Sequence, residues 1–157
     1  MSLKRVNMPK SMDAVPSFLN DQWIATLATV DKHGKPHAVP VWFTFDEGKM
    51  HIQTDRKSVK IRNIVSNTNV VLAVYNMREE AVVVRGKARI VDDEEEFRKL
   101  TQAHIDKYNR LFNIAYKTKG IKYIKLDAEG RDNMGIPLFD TKVRCMIEIT
   151  PKKILFW

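Results

Sequence analysis

The chain has 157 residues, 44% hydrophobic and 29% charged, the size and balance of one domain that buries a core without disulfides or metals. No apolar run approaches the roughly 20 residues that span a bilayer, and the N-terminal stretch lacks the apolar segment of a secretory signal. The net charge of +8 and a pI near 9.6 favour an anionic partner such as a phosphorylated ligand, but the charges are spread along the chain rather than massed in a nucleic-acid-binding tail.

Residues 12–20 read as a short helix, with Ser11 as its cap and Val15, Phe18 and Leu19 as its apolar side. A strand over 23–30 closes on the turn signal Asp31-Lys32-His33-Gly34. A second strand, 37–45, leads through Asp46-Glu47-Gly48 into a third at 49–54, and turns this short make the strands antiparallel neighbours. A short helix over 58–65 carries Ile61, Ile64 and Val65 on one side. Strands follow at 70–75 and 81–91. In the second of these Val84, Gly86, Ala88 and Ile90 alternate with Arg85, Lys87 and Arg89, and Gly86 marks a bulge or a close backbone approach.

Asp92 and Asp93 cap a long helix, with Glu94, Glu95 and Glu96 at its positive end. Its buried stripe is Phe97, Leu100, His104, Tyr108, Leu111 and Ala115, and residues 126–140, with Gly130, Gly135 and Pro137, form a loop. Strands at 143–149 and 153–157 flank a break at Pro151. Six or seven antiparallel strands with helices between them predict a mostly-β or α+β domain, a small barrel with peripheral helices.

Chemistry concentrates where the third strand ends. Thr54 and Ser58 bring hydroxyls to the start of a helix whose first N–H groups lack partners and carry partial positive charge, which suits phosphate. Lys60 in the first turn supplies a point charge, and Arg56, Lys57 and Arg62 add to the field. The same residues also suit a plain helix cap beside a solvated basic face. Cys145, the only cysteine, lies between Val143 and Ile147 and reads as a small core residue in a reducing, cytoplasmic protein. His33, His37, His51 and His104 show no metal-ligand spacing, although His37 and His51 fall on strands that can neighbour one another. Tyr108, Phe112, Tyr116 and Tyr123 read as core or dimer contacts, whereas the flat apolar rings of Trp42 and Trp157 have a better claim to function.

Residues 23–88 resemble the pyridoxamine 5′-phosphate oxidase-like family of FMN-binding split barrels. The resemblance rests on Gly34-Lys35-Pro36 leading into Ala38-Val39-Pro40-Val41-Trp42, on Asp46-Glu47-Gly48, and on the Thr54/Ser58/Lys60 pattern. It continues through Asn67-Thr68-Asn69-Val70-Val71-Leu72 and Val82-Val83-Val84-Arg85-Gly86-Lys87-Ala88 to the closing Ile154-Leu155-Phe156-Trp157. It implies an antiparallel split β-barrel of Greek-key type, with residues 1–157 as one domain. It assigns Thr54, Ser58 and Lys60 to the flavin phosphate, with Arg62 as a further basic neighbour. The backbone of Val39, Pro40, Val41 and Trp42 would lie along the isoalloxazine ring, with Gln53 beside it. Trp157 would arrive from the second subunit of a homodimer whose interface holds the cofactor.

The departures are equally informative. Where the oxidases carry a phosphate-binding arginine this chain has Val59, leaving Arg56, Lys57 or Arg62 to replace it. Their substrate lysine falls on Phe43, their second-subunit glutamine on Ala81, and the chain stops at Trp157 before their arginine-containing tail. The resemblance therefore implies a general flavin reductase or binder rather than an authentic pyridoxamine phosphate oxidase. The expected cofactor is FMN, with the deazaflavin F420 as the alternative, and the expected partners are a small-molecule substrate and NAD(P)H, without membrane. Two rival readings are a flavin carrier or redox-stress module without turnover, and an anion-binding barrel using Arg85, Lys87 and Arg89. That last strip lacks interleaved aromatics to stack bases, which argues against nucleic acid.

Overall fold

Tight turns and one long final strand organise the chain, whose computed structural model describes residues 11–157. A 3₁₀ turn, Met12–Ala14, capped by Ser11, runs into α1 (Val15–Asn20). Strands β1 (Ala25–Val30), β2 (Pro36–Val41), β3 (Thr44–Asp46) and β4 (Lys49–Asp55) precede α2 (Val59–Ser66). After them come β5 (Asn69–Tyr75), β6 (Ala81–Ile90), α3 (Glu94–Ala115) and β7 (Arg144–Phe156). All pairings are antiparallel in one seven-stranded sheet of order β2-β1-β5-β6-β7-β4-β3.

The turns behave as their residues dictate. The Asp31 carboxylate accepts from the N–H groups of His33 and Lys35. Between β3 and β4, Glu47 and Gly48 both have positive φ, 49° and 76°, the geometry that matches the twist of a two-residue hairpin. The two edge strands of the sheet, β2 and β3, are joined only by Trp42 and Phe43. A link that short forces the sheet to curl until its edges meet at one corner, which is the split barrel expected from the sequence.

The expected strand over 37–45 is broken there, and α3 is the reason. The Phe43 N–H donates to Tyr108 Oη at 2.8 Å, and Lys107 Nζ donates to the Phe43 carbonyl at 2.8 Å. These backbone groups are paired with a helix and so are withdrawn from the sheet. Tyr108 Oη also donates to the Trp23 carbonyl at 2.7 Å. Tyr108→Phe should therefore strand the buried Phe43 N–H and the half-buried Trp23 carbonyl and cost about 1–3 kcal/mol. Urea unfolding checks this, and an unchanged midpoint would mean the corner is held by packing alone.

Other expectations need correction. Pro151 does not divide the last strand: β7 runs continuously, because β4 pairs with it only as far as Ile149 and no neighbour on that side needs the missing N–H. On the other side β6 shifts register between Arg85 and Gly86, so the proline sits at the irregularity foreseen at Gly86. On α2, Ile61 and Ile64 are buried but Val65 is exposed, while Asn63 turns inward and donates to Thr29 Oγ1 at 3.0 Å. On α3, Ala115 is exposed, whereas Thr101, Ile105 and Lys107 join the buried face. His37 and His51 are not on neighbouring strands, since β2 pairs only with β1 and β4 lies at the far side of the sheet.

The inner face of the curl holds the main core, with Leu27, Phe43, Met50, Ile52, Leu72 and Ile147 packed beneath α1 and α2. Alternation along β7 sends Cys145, Ile147 and Ile149 into this core and Arg144, Met146 and Glu148 to the outer face. There α3 lies over β4 and β7, capped by the Asp93 carboxylate on the N–H groups of Glu95 and Glu96. Cys145 is fully buried, and burial raises its thiol pKa, as befits a core residue.

Candidate functional site

The end of β4 is built from short-range backbone preferences. The Asp55 carboxylate accepts from the Lys57 N–H at 2.7 Å and the Asp55 carbonyl from the Ser58 N–H at 3.1 Å, turning the chain from strand into α2. Ser58 occupies the N-cap with extended backbone, yet its side chain makes no capping hydrogen bond. Its Oγ is instead 3.5 Å from Thr54 Oγ1. The N–H groups of the first helical turn therefore keep their usual lack of intrahelical partners, with two hydroxyls beside them.

Lys60 is half-buried at this helix end. Burial depresses its pKa, and the charge of Arg144 lowers it further against the opposing pull of Asp55. Arg144 lies opposite Asp55 across β4 and β7, and its Nε donates to Gln53 Oε1 at 3.0 Å. Burial likewise lowers the Arg144 pKa. A partly desolvated lysine thus stands at an open helix N-terminus with a second partly desolvated cation near enough to act on it, an arrangement that an anion would relieve.

The structure brings the Thr54 and Ser58 hydroxyls together, with Lys60 in the first turn of α2 that follows and Gln53 on the opposite face of β4. The amide of Gln53 donates to the Leu138 carbonyl and, at 3.3 Å, to Thr101 Oγ1. Val39, Pro40 and Val41 lie on edge strand β2, whose outward backbone groups have no strand beside them among the described residues. Trp42 stacks on Tyr108, with centroids 4.1 Å apart and planes 15° from parallel, so one of its faces is already covered. Arg62 is exposed and lines a groove of about 550 Å³ with Lys32, Lys35 and His37 rather than joining Lys60.

Trp157 stands at the far end of β7, paired by its backbone with Ala81. Thr54 is opposite Cys145, so the two sites are separated by twelve residues of strand, roughly 35–40 Å. Of the substitutes foreseen for the arginine missing at Val59, Arg56 is engaged with the Thr141 carbonyl, Lys57 is exposed and Arg62 faces elsewhere. The cation that acts on Lys60 is Arg144, which sequence reasoning missed. Its signal was a lone arginine inside the apolar run of residues 143–149.

A curled seven-stranded antiparallel sheet whose edge strands meet at a two-residue link defines a split β-barrel. The chain belongs to the pyridoxamine 5′-phosphate oxidase family, whose model matches residues 11–133 and so extends well into the α3 region beyond the motifs legible by eye. A 5a,11a-dehydrotetracycline/5a,11a-dehydrooxytetracycline reductase of Streptomyces rimosus is 39% identical over 83 residues, covering 46% of this chain and 58% of that protein. The chain therefore spans little more than half the length of this curated relative. Among solved structures, a conserved hypothetical protein of Mycobacterium tuberculosis superposes with a TM-score of 0.73 at 20% identity, over 99% of this chain and 89% of the other. An F420 reductase superposes with a TM-score of 0.58 at 25% identity, over 94% and 98%.

Proposed function

We propose that the chain, acting as one domain over residues 1–157, binds FMN through its phosphate and serves as a flavin-dependent oxidoreductase for a small molecule. The observation that carries this reading is the Thr54–Ser58–Lys60 cradle: hydroxyls paired only with each other, at 3.5 Å, and helix N–H groups beside a lysine whose charge is desolvated and opposed by Arg144. These residues fit a phosphate dianion. Thr54 and Ser58 would donate hydroxyl hydrogens, Lys60 an ammonium, the first turn of α2 its N–H groups, and Arg144 the surrounding positive field.

The free backbone edge of Val39 to Trp42 would lie along the ring, near Gln53. A bound flavin supplies hydride transfer, and the chain supplies binding, orientation and exclusion of water. The names of two relatives, a dehydrotetracycline reductase and an F420 reductase, support an oxidoreductase. The second of these favours F420 as the alternative cofactor, since it too offers a phosphate and a flat ring. NAD(P)H is the donor to try first, in a reducing, cytoplasmic setting that suits the buried Cys145.

A homodimer belongs to the same reading. Thr26, Ala28, Ala38, Pro40, Ala73 and Val83 share the outer face of β2, β1, β5 and β6, which the described residues leave wholly or partly exposed. A face of such small residues suits close two-fold pairing. Trp157 is too far along β7 to serve the cradle of its own chain, so any contact it makes with the flavin comes from a partner.

Lys60→Ala should weaken FMN binding by about 1.5–3 kcal/mol, roughly tenfold to over a hundredfold. Quenching of flavin fluorescence on titration measures it, and unchanged affinity removes Lys60 from the site. NAD(P)H-driven bleaching of the bound flavin distinguishes an enzyme from a carrier.

A further inference from the structure

We infer that the chamber beneath α3 is a second small-molecule site, one that takes a small planar aromatic acid. A cavity of about 270 Å³ lies between α3, β4, β7 and the loop that follows α3, with Trp42 and Leu138 among its apolar walls and Gln53, His104, Asp132 and Arg144 among its polar ones. At roughly 30 Å³ per water this is room for about nine waters, or a ligand of about ten non-hydrogen atoms.

The polar groups that have capacity to spare are specific. His104 is only 7% exposed and makes no hydrogen bond among the described residues, since Nδ1 is sealed without a partner and Nε2 has none either. Nε2 is the ring nitrogen not sealed in, so it is the atom left to meet a ligand. Burial, then the charges of Lys107 and Arg144, hold the imidazole pKa down at about 4, so at neutral pH it is uncharged and exchanges hydrogen bonds rather than charge. Arg144 uses Nε on Gln53 and leaves its terminal nitrogens without a hydrogen bond among the described residues.

Of the other polar side chains of the wall, the Tyr123 hydroxyl makes no hydrogen bond among the described residues, and the Asp132 carboxylate acts on His104 and Arg144 through its charge without bonding to either. Asn133 bridges the Tyr123 carbonyl and the Lys125 N–H, and Asp132 accepts from the N–H groups of Met134 and Ile136. The chamber therefore asks for a flat apolar body, an anionic group for the Arg144 fork, and one hydrogen-bonding group for His104 Nε2. A half-buried arginine beside a buried, unpartnered imidazole leaves polar capacity unsatisfied, which a core built only for packing avoids.

The chamber shares Trp42, Gln53 and Arg144 with the proposed flavin site, and one experiment separates the two. Salicylate is the probe: its ring, carboxylate and adjacent hydroxyl match the three demands. Calorimetry with the wild-type protein should give saturable binding of one salicylate per chain. His104→Phe and Arg144→Gln should each weaken it at least tenfold, and salicylamide, which lacks the charge, should bind at least tenfold more weakly than salicylate. In the wild type, nuclear Overhauser contacts from salicylate to the Tyr123 and His104 rings locate it without relying on any substitution. Lys60→Ala should leave salicylate affinity within threefold. If salicylate binding falls with FMN binding in that variant, the probe occupies the flavin site, and the inference fails while the flavin reading stands. No saturable binding, contacts elsewhere, or indifference to both chamber substitutions also overturns it.

Discussion

Glu148→Ala is expected to cost the fold about 3 kcal/mol at neutral pH. The Glu148 side chain, 5% exposed, accepts from His51 Nε2 at 3.0 Å, Arg89 Nε at 2.8 Å and Lys49 Nζ at 3.3 Å. Burial alone would raise its pKa, but the hydrogen bonds from His51, Arg89 and Lys49 outweigh that and hold it at about 2. Removing the carboxylate leaves the buried His51 without its one partner, its Nδ1 already having none. The cost falls at the low end of the range for breaking a buried pair, because Lys49 and Arg89, 43% and 51% exposed, can turn to water.

The pH dependence follows from the direction of the shift. A carboxyl depressed in the folded state contributes stability that is full above its ordinary pKa of 4.5 and is lost as pH falls toward about 2. Urea unfolding of wild type and Glu148→Ala should thus differ at pH 7 and converge near pH 2. His104 adds an earlier window: held neutral with a pKa of about 4 against an ordinary 6.5, it contributes stability that fades as pH falls between those values. A constant gap between wild type and Glu148→Ala across the acid range would show that the carboxylate acts through shape rather than charge.

Gly86→Val should destabilise by about 2–3 kcal/mol, and Gly86→Ala by somewhat less. A Cβ at this position would lie 2.5 Å from the Thr150 carbonyl oxygen and 3.0 Å from Ile149 Cγ2. The first contact is with backbone of the paired strand β7, beside the register shift, so no side-chain rotation relieves it. Thermal unfolding reads the effect. A Gly86→Ala protein as stable as wild type would mean that the β6–β7 pair slides to make room, and that the glycine is not required by the bulge.

The parts of the fold that were legible in the sequence are those set by neighbours a few residues apart. Asp31, Gly48 and Asp93 act within their own turns and caps, and alternation from Val84 to Ile90 is a period that a strand imposes. Gly86 also declared itself, since a glycine inside a strand needs a reason. What the sequence hid depends on distant partners. The break at Trp42–Phe43 is made by Lys107 and Tyr108, some 65 positions on. Pro151 looks like a terminator until β4 is seen to end its pairing before it. Val65 and Ala115 fit a helical stripe, but what a stripe buries depends on how far the opposing surface reaches.

The candidate site divides in the same way. Thr54, Ser58 and Lys60 share one strand-to-helix turn, so their grouping followed from spacing. Arg144 comes from β7 and is brought to Gln53 only by sheet register, 91 positions away. The chamber under α3 combines residues from five parts of the chain and had no local signature beyond a histidine on an apolar helix face.

The account rests on a grip on phosphate at the start of α2, and the comparison of FMN with riboflavin tests that most directly, since the two differ only in the phosphate. Titration of the wild-type protein should show FMN bound about a hundredfold or more tighter than riboflavin, the loss expected when two or more charge-assisted hydrogen bonds disappear. Equal affinities, or no binding of FMN at all, would contradict it.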